Sequence, residues 1–216
     1  VIKGETVLSR DKQGSDECTL CRVVDSGRAK DRPFYDTHLF STKSFVVIPA
    51  VGPVNVGHVM VVSREHVPNF ACLSRHQREE YEDLLRSICE DPSHGLSDVL
   101  EAEHGGAEGE RGGACITHVH VNLIPNSGSF YDMLQGRLRQ QSVDHSLTTL
   151  EPSAAPYVLL RNSHDVRLHS AKNAPSQLIR RILFEKLGRD DWDWAAFPQL
   201  DVVTSTIRLW RHSVDT

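Results

Sequence analysis

One ten-residue stretch constrains this chain more than any other: Cys115-Ile116-Thr117-His118-Val119-His120-Val121-Asn122-Leu123-Ile124, closed by Pro125. Its period of two marks an extended strand, whose successive side chains point to opposite faces. The alternation predicts Thr117, Val119, Val121 and Leu123 on a core-facing side and His118, His120 and Asn122 in a polar row on the other. The two imidazoles would stand ~7 Å apart on that face. A lone strand histidine is most simply a hydrogen-bonded structural residue. Two of them in a row with an asparagine, opposite an apolar face, point to a site.

The rest of the chain supplies partners for such a strand. Ser44 to Ile48 reads as a buried strand stopped by Pro49, and His58 to Ser63 as its return after the Gly52-Pro53 and Gly57 turn signals. Ser74 with Gln77 is a capping box, and Tyr81, Leu84, Leu85 and Ile88 continue at helical spacing until Asp91-Pro92. Asp98 to His104 is a further candidate strand. Beyond Pro125, Phe130 to Gln141 reads as a helix, and residues 156–160 and 166–168 as a hairpin around Asn162 to Asp165. A last helix is predicted from near Pro175, with a stripe of Leu178, Ile179, Ile182, Leu183 and Leu187 and a stop at Gly188. No repeat or linker is visible, so one domain spanning 1–216 is the expectation.

Composition narrows the function classes. Among 216 residues, 24 basic and 29 acidic side chains leave a net charge of −5. That balance argues against a chain devoted to coating nucleic acid or an anionic membrane. A 39% hydrophobic and 25% charged composition is that of a folded soluble domain. No run approaches the ~18 apolar residues of a membrane span, and Val1 to Glu5 lack a secretory core, so a cytoplasmic location is expected. Five cysteines disfavour a closed disulfide framework. Cys18-Thr19-Leu20-Cys21 is either two thiolates of a tetrahedral zinc site, completed by distant histidines, or a pair of buried thiols. The glycines between Gly105 and Gly113 are a weak cue for backbone amides beside a phosphate.

The segments Gly57 to His66 and Cys115 to Ile124, in that order and spacing, resemble the histidine triad (HIT) family, whose signature is His-φ-His-φ-His-φ-φ with φ apolar. Glu103-His104-Gly105 resembles the segment preceding that strand in bacterial members. Residues 174–181 with Trp192-Asp193-Trp194 are similar to a C-terminal extension in a bacterial subgroup. The resemblance implies an α+β fold, an antiparallel sheet of about five strands with packed helices, with a core over about 18–125 and an extension over about 126–216. It implies a nucleotide hydrolase or nucleotidyl transferase in which His120 attacks the α-phosphate and forms a covalent nucleotidyl-histidine. It further implies a structural zinc held by Cys18, Cys21, His66 and His118, a small-molecule nucleotide-like substrate, and a homodimer without nucleic-acid or membrane partners.

The chain departs from the family at informative places. Asn122 replaces the third histidine; it can donate and accept hydrogen bonds but carries no proton at neutral pH. Cys115 stands where members place a serine or glutamine near phosphate, and the position of the family's ribose-binding Asp or Asn falls near Ala50. Asn122, Cys115, backbone amides near Gly113, and Gln177 at a helix N-terminus are therefore the expected phosphate contacts. Two alternatives follow: an enzyme of specialised metabolism using His120 as general acid or base on a non-nucleotide substrate, and a low-turnover nucleotide-binding module. His58 reads as structural, and His104 approaches the site only if its segment packs beside the triad strand. His38, His76, His94, His145, His164, His169 and His212 read as solvated, Arg180 and Arg181 as a solvated helix face, and Trp192 and Trp194 as anchors for the tail.

Overall fold

The computed structural model describes residues 18–25, 33–106, 114, 116–125, 127–138, 142–143 and 155–212. Eight antiparallel strands form one sheet: β1 (Phe40–Ser41), β2 (Phe45–Pro49), β3 (Val59–Ser63), β4 (Val99–Gly105), β5 (His120–Pro125), β6 (Ser142–Val143), β7 (Tyr157–Arg161) and β8 (Val166–Ser170). Their spatial order is β1-β2-β3-β5-β4-β7-β8-β6. Five helices accompany them among the described residues: α1 (Thr19–Asp25), α2 (Arg75–Glu90), α3 (Ser127–Leu138), α4 (Leu178–Lys186) and α5 (Leu200–His212).

The expected α+β class holds, but the sheet is wider than the expected five strands. β7 of the 156–168 hairpin pairs along the outer side of β4 and covers an edge that would otherwise be open. The junction is also fastened by side chains. Arg161, opposite Glu101 in the register, donates from Nε and Nη2 to the Glu101 carboxylate at 2.6 and 2.7 Å. Tyr81 of α2 donates to the same carboxylate at 2.7 Å, so this buried charge is both paired and hydrogen-bonded.

Strand alternation divides the core. Val47, Val59, Val61, Val121, Leu123 and Leu159 meet α2 through Tyr81, Leu84 and Ile88 on one face. On the other face, Leu100, Ala102, Ile124, Val158 and Leu160 meet α3 and α4, while Val46, Ile48 and Val62 meet α1. The polar row thus looks into a covered face rather than into open solvent.

Local signals mostly act as chemistry predicts. Ser74 accepts the Gln77 amide while the Gln77 side chain accepts the Ser74 amide, completing the capping box of α2. Helix α4 begins at Leu178, after Gln177 turns the chain through φ 58°, rather than at Pro175. Gly188 stops it at φ 69°. Helices α1 and α5 were not anticipated. α1 is only seven residues long, burying Leu20, Val23 and Val24, and α5 shows its stripe through the buried Val203, Ile207 and Trp210. Two histidines read as solvated are buried. His94 stacks on Trp210 with ring centroids 4.1 Å apart, and His169 donates to the Leu138 carbonyl at 3.1 Å.

Glu103, beside β7, is buried and accepts from the Phe70 amide at 2.9 Å and the Tyr157 hydroxyl at 2.7 Å. Burial outweighs these bonds and pushes its carboxyl up to about 7. A folded value above the unfolded 4.5 means the protonated group favours the fold. Its contribution is complete below about pH 4.5 and lost as pH rises through about 7. Denaturant titrations from pH 4 to 8 should show wild type losing about 3 kcal/mol relative to Glu103→Gln. Parallel curves for the two proteins would contradict the assignment.

Candidate active site and metal centre

His118 was expected in the strand, level with His120. The regular strand instead begins at His120, and residues 116–118 form a bend. Thr117 is exposed rather than core-facing. The His118 ring meets α1, where its Nδ1 lies 3.5 Å from both Cys18 Sγ and Cys21 Sγ. His66, following β3, places its Nδ1 3.2 Å from Cys21 Sγ. The four donor atoms all lie within 4.8 Å of one another.

This cluster fits a tetrahedral metal. Sulfur ligands at ~2.3 Å and nitrogen ligands at ~2.1 Å stand roughly 3.6 Å apart around zinc, close to the separations seen here. The imidazole tautomer fits too. His118 Nε2 donates to the Ser63 carbonyl at 2.8 Å, which leaves the Nδ1 lone pair facing the thiols. Burial, followed by the neighbouring imidazoles, pulls the His118 imidazolium down to about 4, keeping the ring neutral as a ligand must be. Burial and the adjacent Cys18 push the Cys21 thiol up to about 11, a barrier that a bound cation removes.

His120 faces elsewhere. Its Nδ1 donates to the His118 carbonyl at 2.6 Å, so a neutral ring carries its proton there and leaves Nε2 with an open lone pair. Burial lowers the pKa of the ring, against the pull of that carbonyl. The ring lines a cavity of about 510 Å³. α1 contributes Leu20 and Val23 to its walls, β2 and β3 contribute Ile48 and Met60, and α4 contributes Leu178 and Ile179.

Asn122 lines the same cavity, and its amide orientation is fixed on two sides. The Val54 amide donates to His58 Nδ1 at 3.1 Å, which forces the proton of that buried ring onto Nε2. His58 Nε2 therefore donates to Asn122 Oδ1 at 3.1 Å. Asn122 Nδ2 gives one hydrogen to the Ala102 carbonyl at 3.1 Å, and its second remains for a ligand. Burial first, and the Arg180 charge in addition, depress the His58 pKa to about 3, so the ring stays a neutral relay.

The C-terminal segment builds the opposite wall. Arg180, expected on a solvated face, donates from Nε to the Trp192 carbonyl at 2.7 Å, with its guanidinium 4.8 Å from the Phe184 ring centre. Arg181 lies over Trp192 at 3.6 Å. Trp192 packs into the α3–α4 core and Trp194 lines the cavity. Gly52, at φ 62°, leaves no room for a Cβ, which would fall 2.7 Å from that of Trp194. Gln177 also lines the cavity, but its amide is engaged, donating to Asp193 Oδ1 at 2.9 Å and accepting the Trp194 amide at 3.1 Å. It acts here as a latch between α4 and the tail. Ala50 is buried in the wall. Gly113 and Cys115 lie outside the described residues.

Sequence reasoning missed the part played by His58, whose only signal was its place after the Gly57 turn. It left His104 conditional on packing beside the triad strand; β4 does pair with β5, and His104 lines the cavity.

No protein-family model matches the chain, and no curated protein does. Solved structures do match over about half of it. A hypothetical histidine triad nucleotide-binding protein from Sulfolobus tokodaii is 21% identical, covering 50% of this chain and 68% of its own, with a TM-score of 0.38. A zinc-bound histidine triad family protein from Mycobacterium smegmatis is 19% identical, covering 52% and 76%, with a TM-score of 0.39. A HIT family hydrolase from Clostridium thermocellum is 17% identical, covering 51% and 91%, with a TM-score of 0.38. Among the described residues, no helix is long and apolar enough to cross a membrane.

Proposed function

We propose that this protein is a nucleotide hydrolase or nucleotidyl transferase of the histidine triad type, with His120 as nucleophile at the α-phosphate. The observation that carries the reading is the 2.6 Å bond from His120 Nδ1 to the His118 carbonyl, which aims an unprotonated Nε2 into the cavity. That lone pair forms the bond to phosphorus while the leaving group departs with its electron pair. Water or another acceptor then displaces the nucleotidyl group and returns the pair to Nε2. The second Nδ2 hydrogen of Asn122 steadies a phosphoryl oxygen, a contact already oriented by His58 and Ala102 before substrate arrives.

Cys18, Cys21, His66 and His118 hold zinc. With four protein ligands there is no open coordination position, so the ion acts as a cross-link and does no chemistry on substrate. The link joins α1, which forms one cavity wall, to the bend that carries His118.

Two outcomes follow. Incubation with an α-phosphate-labelled nucleotide and quenching should leave acid-labile label on histidine in wild type and none in His120→Ala. Asn122→Ala should lower the labelling rate by roughly 10²–10³-fold. A wild type that turns over nucleotide without labelled histidine would refute the covalent step. Metal analysis should find about one zinc per chain, absent in Cys21→Ser, with a Tm lower by roughly 10 °C. A folded, metal-free wild type of unchanged Tm would refute the zinc site.

A further inference from the structure

Displacement at phosphorus has a second requirement besides a nucleophile: the departing oxygen needs a proton unless it is stable as an anion. Asn122 cannot supply one, since its amide does not ionise near neutral pH. His58 cannot either, because both its ring nitrogens are engaged, by the Val54 amide and by Asn122. Arg22 and Arg180, which also line the cavity, hold their protons too tightly. Tyr35 and Asp36 enter from the short 3-10 helix Phe34–Asp36, away from the β4–β5 row.

His104 is placed differently. In the β4–β5 register Ala102 stands opposite Asn122. Two residues further along β4, on the same face, comes His104; two residues back along β5 comes His120. The paired register of β4 and β5 ends at Ala102 and Asn122, and His104 and His120 lie just past it. Both rings line the cavity, and His104 is only 7% exposed. A large titratable ring in that position faces the site rather than bulk water.

We infer that His104 is the proton-transferring residue of this cavity, a function of β4 that stands in for the missing third histidine of β5. The inference rests on His120 being the nucleophile. As the Nε2–phosphorus bond forms, the bond from phosphorus to the leaving oxygen breaks and its electron pair stays on that oxygen. The His104 imidazolium gives its proton to the oxygen and becomes neutral. In the second half, neutral His104 takes a proton from the attacking water, the nitrogen–phosphorus bond breaks, and its pair returns to His120 Nε2. The site therefore accepts substrates with poor leaving groups, such as alkoxides, as well as activated ones.

The test uses the full-length, metal-loaded protein and adenosine 5′-phosphate esters graded from p-nitrophenyl through phenyl to alkyl. His104→Gln, with His104→Asn as a second variant, should lose roughly 10²–10⁴-fold on the alkyl and phenyl esters and less than about tenfold on the p-nitrophenyl ester. Added imidazole should restore part of the loss in His104→Ala. Equal loss across the series, or none, with label still trapped on His120, overturns the role of His104 alone. Absence of His120 label from wild type on every ester overturns the nucleophile reading and this inference with it.

Discussion

His118 engages three parts of the molecule at once, and the site is built around it. Its Nε2 donates to the Ser63 carbonyl at the end of β3, its Nδ1 faces the two cysteines of α1, and its own carbonyl accepts from His120. Val119 packs into the core with Val121 and Leu123, so the His118 and His120 rings both lie on the face that α1 covers. The first ring meets the Cys18 and Cys21 sulfurs, and the second lines the cavity. The cluster of two thiols and two imidazoles and the His120 ring are thereby joined through the His118 carbonyl.

A second chain of hydrogen bonds runs across the sheet from Val54 through His58 and Asn122 to Ala102. Buried polar groups are costly when unsatisfied, so each member fixes the orientation of the next. With asparagine at the third position, the sequence is ordered as a one-way series of donors and acceptors that ends in a hydrogen aimed at the cavity. The loop holding Val54 is itself tied down by the C-terminal segment. Gly52 donates to the Pro198 carbonyl at 2.8 Å and Gly57 to Thr206 Oγ1 at 3.0 Å. Residues remote in sequence thus set the shape of the wall facing His120.

Much of this was legible beforehand where local chemistry decides. The strands around residues 45–49 and 59–63, the capping box at Ser74 and Gln77, and the paired thiols of Cys18 and Cys21 follow from spacing and residue type. His66 and His118 as partners of those thiols came only from the family resemblance. The bend over residues 116–118, which leaves Thr117 exposed, was not legible, because the alternation of residue types runs unbroken through it. Nor were the burial of His94 and His169 or the inward place of Arg180, since stacking on Trp210 and capture of the Leu138 and Trp192 carbonyls are tertiary events. The width of the sheet escaped for the same reason. Whether a hairpin extends an existing edge depends on what lies beside it, and here Glu101 and Arg161 decide.

The protonation of a single ring decides between a nucleophile and a structural histidine. Nitrogen-15 NMR of the imidazoles in metal-loaded protein near pH 7, with His120→Gln to assign the resonance, reads it directly. The account requires His120 to be neutral with its proton on Nδ1 and an unprotonated Nε2. A neutral ring protonated on Nε2, its lone pair turned toward the backbone, would contradict it.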